Sequence, residues 1–198
     1  MRKIEKKEAP AFYTKYLTKN KHKTWKDIDP IRKELRNHIL GEQKNCCAYT
    51  ETRISNLDNC HIDHFKTRNL FPEYTFDYSN LLVSCNNENY GAKHKDKLVK
   101  EKDDYKNLIN PAEECADAYI EYTITGSVEA INKNQRGIQT INYFNLNERS
   151  LLERRRLHAL NFSNFSTCLD EGLSIDEIVK NIGEFETLTR QLYNEPNK

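Results

Sequence analysis

The chain has 198 residues, of which 37% are hydrophobic and 31% charged, with a formal net charge of +1 and a mean hydropathy of −0.89. Near-neutrality excludes a global pull toward nucleic acid or anionic membranes, and no run of about 18 apolar residues is present to span a bilayer. No apolar segment follows the basic start, so the expectation is a cytoplasmic protein whose six cysteines are reduced.

In chain order, residues 1–24 read as an extended basic arm. "TWKDIDPIRKELRNHILGEQKN" reads as a helix: Asp29 can cap it, Pro30 suits its first turn, and Ile31, Leu35 and Ile39 form one stripe. From Cys46 to Lys97 helical periodicity is lost, and short apolar pieces alternate with Asn, Asp, Ser and Thr, which predicts short strands with turns. "KDKLVKEKDDYKNLI" predicts a helix stopping at Asn110–Pro111. "AYIEYTITGSVEA" alternates as a hairpin around Thr125–Gly126. After Gln135 two or three helices follow. The first starts near "NLNERSLLERRRLHAL", with Asn147 as cap and Leu151, Leu152 and Leu157 as packing residues. The last is "SIDEIVKNIGEFETLTRQLY", opened by a capping box from Ser174 to Glu177. Cys115 and Cys168 read as buried thiols, and His22, His38 and His158 as surface histidines. The whole is read as one α+β domain over 1–198, with an arm and helix at 1–45, a β-rich core at 46–106, and a hairpin and helical part at 107–198.

The chemistry concentrates in "CHIDHF". In an ideal strand His61 and Asp63 share one face and His64 points to the other, so Asp63 and His64 can serve one site only where the strand ends. A carboxylate is a hard ligand for a divalent ion, and an imidazole can take a proton from water near neutrality. Downstream, "FDYSNLLVSCNNEN" places Asn80 before an apolar pair, then Cys85 and Asn89.

These residues resemble the His-Asn-His (HNH) nuclease motif. The stretches "MRKIEKKEAP", "LGEQKNCCAYTE", "YGAKHK", "INPAEE" and "FNLNERSLLERRR" extend the likeness over nearly the whole chain. The resemblance is to HNH endonucleases of bacterial anti-phage systems, which include PtuB of the Septu system and its retron-associated relatives. It implies a ββα-metal finger between N- and C-terminal helices. It implies His64 as general base, Asp63 as metal ligand, Asn80 as the brace that orients His64, and Asn89 or His94 as the last ligand of one Mg2+ or Mn2+ ion. It also implies hydrolysis of DNA by default, or of tRNA or other RNA. The implied partner is a PtuA-like ATPase of the ABC/SMC type, with a retron reverse transcriptase and its msDNA as further partners.

The family also carries two Cys pairs that resemble a four-cysteine zinc site. Here Cys47 and Cys85 stand in the pairs, but Thr50 and Tyr90 replace their companions, and both are poor zinc ligands. A zinc rebuilt from Cys46, Cys47, Cys60, Cys85 or His61 is the alternative to buried, apolar thiols. Lys93, Lys95, Arg154 and Arg155 are candidate contacts to nucleic acid or the partner, with Arg156 in the same cluster. The competing function is a catalytically inactive interaction subunit of the ATPase complex.

Overall fold

In the computed structural model, residues 1–166 and 174–194 are described; Cys168 lies outside them. Mixed helix and sheet make up the fold, and the α+β expectation holds at that level. The helices are α1 (Ala11–Lys19), α2 (Asp29–Glu42), α3 (Ala92–Leu98), α4 (Gln135–Tyr143), α5 (Arg149–Ser166), α6 (Ile175–Ile182) and α7 (Glu186–Asn194). Strands β1 (Cys60–His64) and β2 (Leu81–Cys85) pair antiparallel, with Ile62 opposite Val83 and His64 opposite Leu81. Strands β3 (Ile120–Tyr122) and β4 (Val128–Ala130) form a second antiparallel pair.

The β1–β2 ribbon is short, and two strands alone are marginal in water. It survives because its apolar residues are enclosed: Leu81, Leu82 and Val83 are fully buried, and α2 packs on β2 through its own buried stripe of Leu35, Ile39 and Leu40. Gln43, at the end of α2, extends the ladder. Its amide nitrogen donates to the carbonyls of Cys46 and Val83, and its oxygen accepts from Val83 N at 2.7 Å. The β3–β4 hairpin turns at Gly126, whose φ is +87°. A Cβ there would stand 2.2 Å from the Leu152 carbonyl oxygen, so the hairpin seats directly on α5.

Several sequence expectations are corrected. Residues 1–24 are no free arm: Met1 and Ile4 are buried, Ile4 N donates to Pro111 O, and α1 docks through buried Tyr13, whose hydroxyl donates to Phe76 O. A few apolar side chains anchor a segment whose composition is dominated by lysine. Asp29 is not a cap but lies inside α2, entered from a 3-10 turn at Trp25–Ile28. The helix expected from Lys95 to Ile109 stops at Leu98. Val99 turns inward to the core, and the Asp104 carboxylate accepts from Lys100 N and Glu101 N to start a separate 3-10 turn.

Helix α4 stands ahead of the first helix expected after Gln135, and Asn134 caps it through its side chain. Asn147 does not cap α5; its amide bridges both backbone groups of Val128, and Glu148 accepts from Ser150 N and Leu151 N instead. Leu157 is exposed. The last helix is two, because Gly183 takes a left-handed cap (φ 75°) after the expected Ser174–Glu177 capping box. His158 is no surface residue: it bonds Thr189 between α5 and α7.

Glu51 ties the N-terminal segment to α7. It is buried, pairs with the Met1 ammonium at 2.8 Å, and accepts from Arg2 N, Thr187 N and the Thr187 hydroxyl. Burial opposes its charge, but the ammonium and Thr187 outweigh burial and hold its pKa down to about 2, from 4.5. The stability it contributes is therefore full above about pH 4.5 and is lost as pH falls toward 2. Glu51→Gln is expected to cost about 3 kcal/mol, a melting decrease of about 10 °C. It should also flatten that acid window; a thermal melt series from pH 2 to 7 checks both.

Candidate active site

Strand β1 ends at His64, and the chain then makes a long excursion before returning as β2. Phe65 N still donates to Asn80 O at 3.0 Å, so the ladder closes one step beyond the strand. The bend at this end lets neighbouring residues serve one space. Asp63 and His64 both line an open pocket of about 380 Å³, together with His61, Thr67, Arg68, Leu70, Asp96 and Lys100.

Asn80 organises the excursion. It is buried, its Oδ1 accepts from Lys66 N at 2.8 Å, and its Nδ2 donates to Lys66 O at 3.0 Å and Tyr74 O at 3.3 Å. The next carbonyl, Thr75 O, accepts from His64 Nε2 at 2.9 Å. A carbonyl only accepts, so Nε2 carries the proton and Nδ1 is the basic nitrogen of the neutral ring. Trp25 meets the imidazole edge-on with centroids 4.4 Å apart. Burial pushes the His64 pKa down to about 4 from 6.5, against the opposing pull of the Thr75 bond and the Asp63 charge. His64 is thus neutral at pH 7 with a lone pair to offer.

Asp63 is 3% exposed. Its Oδ2 accepts from the Tyr49 hydroxyl and from Lys95 Nζ at 3.1 Å. Burial alone would raise its pKa; the Lys95 charge and the Tyr49 bond reverse that and hold it below the usual carboxylate range. Tyr49 is itself fixed by stacking on Phe144, with centroids 4.3 Å apart. Asp96, on α3, is an exposed residue facing the same pocket. Partial burial and the Asp63 charge push its pKa up, against the pull of Lys95.

The expected last metal ligands are not at this place. His94 Nδ1 bonds the Tyr143 carbonyl at 2.9 Å and joins α3 to α4. Asn89 sits in an exposed turn, its carbonyl accepting from Asn145. Neither lines the pocket. Among the described residues, no three His, Cys, Asp or Glu side chains gather as a metal cluster. The carboxylate that joins Asp63 is Asp96, which the motif spacing passed over. Its signal was available as the single acid within the basic run "KHKDKLVK".

The expected contact residues are likewise redistributed. Lys95 and Arg155 are buried, which removes them from any surface contact; Arg155 donates to the carbonyls of Gly126 and Leu146. Lys93 pairs with Glu88 at 2.8 Å and Arg154 with Glu184 at 2.5 Å. Arg156 pairs with Glu153. On the pocket rim stand Arg68 and Lys100, both exposed; the Lys100 charge also acts on Asp104.

At the positions of the two Cys pairs, Cys47, Thr50 and Cys85 form one hydrogen-bonded group. Burial pushes the Cys47 thiol up, but bonds from Cys85 and Thr50 outweigh it and hold it low, while Cys85 is raised by that same bond. Ser84 Oγ lies 3.6 Å from Cys47 Sγ, and half-buried Tyr90 lies beside the group. Two sulfurs and two hydroxyls do not supply the four nitrogen or sulfur ligands of a structural zinc. Cys60 is turned to the Leu57 carbonyl and Cys46 to that of Gly183. A larger pocket of about 460 Å³ near Arg2 has its charges paired internally, Arg2 and Lys44 with Glu186, and Arg190 with Asp176. It holds none of the residues of the motif.

No protein-family model matches the chain. Over 144 residues it is 28% identical to a protein of Vibrio cholerae serotype O1 biovar El Tor named "Retron Vc95 putative HNH endonuclease", and the match covers 66% of this chain and 66% of that relative. The likeness supports an HNH endonuclease reading of the chain. No helix among the described residues is long and apolar enough to cross a membrane.

Proposed function

We propose that the chain is an HNH-type nuclease that hydrolyses phosphodiester bonds in nucleic acid, with β1, β2 and α3 as its ββα element. The observation that supports this best is the linked set at the end of β1. Asn80 ties down the excursion, Thr75 O fixes the His64 ring, and Asp63 and His64 open on one pocket. His64 Nδ1 accepts a proton from water as that water attacks phosphorus, and the 3′-oxygen leaves and takes up a proton from solvent. The products carry a 5′-phosphate and a 3′-hydroxyl. Arg68 and Lys100 hold the backbone phosphates beside the scissile bond. Their contribution is electrostatic and salt-dependent.

A single Mg2+ or Mn2+ fits the donor set of this pocket: Asp63 and Asp96 are hard oxygen ligands, and the two carboxylates outnumber the one ammonium between them. When bound, the ion supplies Lewis-acid stabilisation of charge on the phosphate and the leaving oxygen. A chelator such as EDTA is expected to abolish cleavage and leave the circular dichroism spectrum unchanged. Loss of the spectrum on chelation would mean a structural metal, such as a zinc at Cys47 and Cys85.

The low His64 pKa sets the pH dependence. The acid limb of kcat/KM is expected near pH 4, with a plateau through neutrality. A limb at 6.5 would refute a buried, neutral base. The same shift acts on stability. Between about pH 6.5 and 4 the unfolded chain binds a proton that the folded chain refuses, so this contribution is lost as pH falls through that window.

DNA is the default substrate, with tRNA or other RNA as the alternative. The name of the relative places it with a retron, and this chain is proposed to act in the same setting, as an anti-phage effector. Its proposed partners are a PtuA-like ABC/SMC-type ATPase and, where the system is a retron, a reverse transcriptase with its msDNA. Cleavage of phage DNA and of total cellular RNA, with and without a PtuA-like ATPase, tests substrate and partner together. One observation favours the interaction-subunit reading, namely Lys95 on the Asp63 oxygen that a metal would use. Wild type and His64→Ala giving equal results on both substrates, with the complex intact, would establish that reading.

A further inference from the structure

Lys95 is a buried cation inside a cage of oxygens. Its side chain is 0% exposed. Nζ donates to Asp63 Oδ2 at 3.1 Å, His64 O at 3.1 Å and Phe65 O at 2.8 Å, which uses its three protons. Asp96 Oδ1 lies 3.2 Å away as a fourth oxygen. The rings of Phe65 and Tyr49 face it with centroids 5.5 and 6.0 Å from Nζ. A buried ammonium is costly unless it is paired and fully hydrogen-bonded, and here it is both. Two carboxylates and two carbonyls around one cation is the ligand chemistry of a hard divalent ion.

We infer that Lys95 is a resident cation at the Asp63–Asp96 pair. It does the structural work of a divalent ion, preforming the end of β1 and the His64 backbone before any metal arrives, and it weakens metal binding there. The inference rests on the assignment of Asp63 and Asp96 as the divalent site. It makes Lys95 a positioning residue, since the ammonium reaches the site through Asp63 and the His64 and Phe65 carbonyls. It is also consistent with the expectation that the fold withstands chelation.

The test uses the full chain, with MnCl2 as the probe and melting and calorimetric titration as readouts, so cleavage plays no part and a failed cleavage reading leaves it intact. Wild type is expected to melt within about 2 °C of the same temperature in EDTA and in millimolar Mn2+, as a weakly bound ligand requires. Lys95→Met leaves two acids uncompensated and is expected to melt about 10 °C lower in EDTA. It should recover much of that loss in Mn2+, with an affinity at least ~10-fold above wild type, because a like charge has left the site. A Lys95→Met chain that is unfolded in EDTA and folds on Mn2+ supports the inference equally; one that stays unfolded in Mn2+ overturns it. Melting equal to wild type, or no gain in Mn2+ affinity, also overturns it. The double variant Lys95→Met with Asp96→Asn is expected to lose the Mn2+ gain. If it keeps the gain, the ion binds elsewhere and the inference fails.

Discussion

His64→Ala is expected to lower phosphodiester cleavage by ~10²–10⁴, the usual worth of a positioned general base. The geometry makes the substitution informative. His64 is buried, its Nε2 is committed to Thr75 O, and Nδ1 is its basic nitrogen. Alanine removes that nitrogen and leaves the Thr75 carbonyl to find water, a penalty of about 1–2 kcal/mol. Melting should fall by no more than about 5 °C for a chain of this length. Activity and melting are thus expected to separate: a large kinetic loss at 25 °C in a protein that stays folded. A loss of activity that tracks the loss of folded protein, and disappears when the assay is corrected for it, would make His64 a packing residue under Trp25.

Asn80→Ala is expected to damage both fold and activity. Three hydrogen bonds from one buried amide hold the excursion after β1 at Lys66 and Tyr74. Alanine leaves three backbone groups without that partner, costing about 3 kcal/mol if water reaches part of the gap, or about 10 °C in melting. The neighbouring Thr75 carbonyl then loses its fixed position, and the His64 ring with it. Cleavage is expected to fall by ~10²-fold even below the melting transition, since a misplaced base costs rate through orientation. Asn80→Asp is the sharper comparison. The carboxylate still accepts from Lys66 N but can no longer donate to the two carbonyls, so it should resemble alanine and not wild type. Full activity in either variant would show that the loop holds itself.

Much of the local structure was legible because it is coded by neighbours in sequence. The hairpin follows from the alternation around Thr125–Gly126, and the α6 start follows from Ser174 and Glu177 three positions apart. The strand–excursion–strand around "CHIDHF" and "SNLLVSC" was legible for the same reason, since β1 and β2 each carry enough apolar residues to be enclosed. Element ends were less legible. Val99 leaves its helix because the core takes its side chain, and Gly183 ends another because α7 must fold back onto Glu51. Propensity has no knowledge of either demand.

The sequence by itself determined an α+β chain with Asp63 and His64 at the end of one strand and Asn80 just ahead of the next, because strand pattern and motif spacing act over short distances. Only the tertiary structure decided which other charges meet them. It brought Asp96 and the buried ammonium of Lys95 to Asp63, turned His94 and Asn89 away to hold α4 and its following turn, and left Arg68 and Lys100 open at the rim. A lysine in "KHKDK" reads as a solvated face in one dimension. It becomes an internal cation only when the helix that carries it packs against two carbonyls and a carboxylate whose burial makes an opposite charge obligatory.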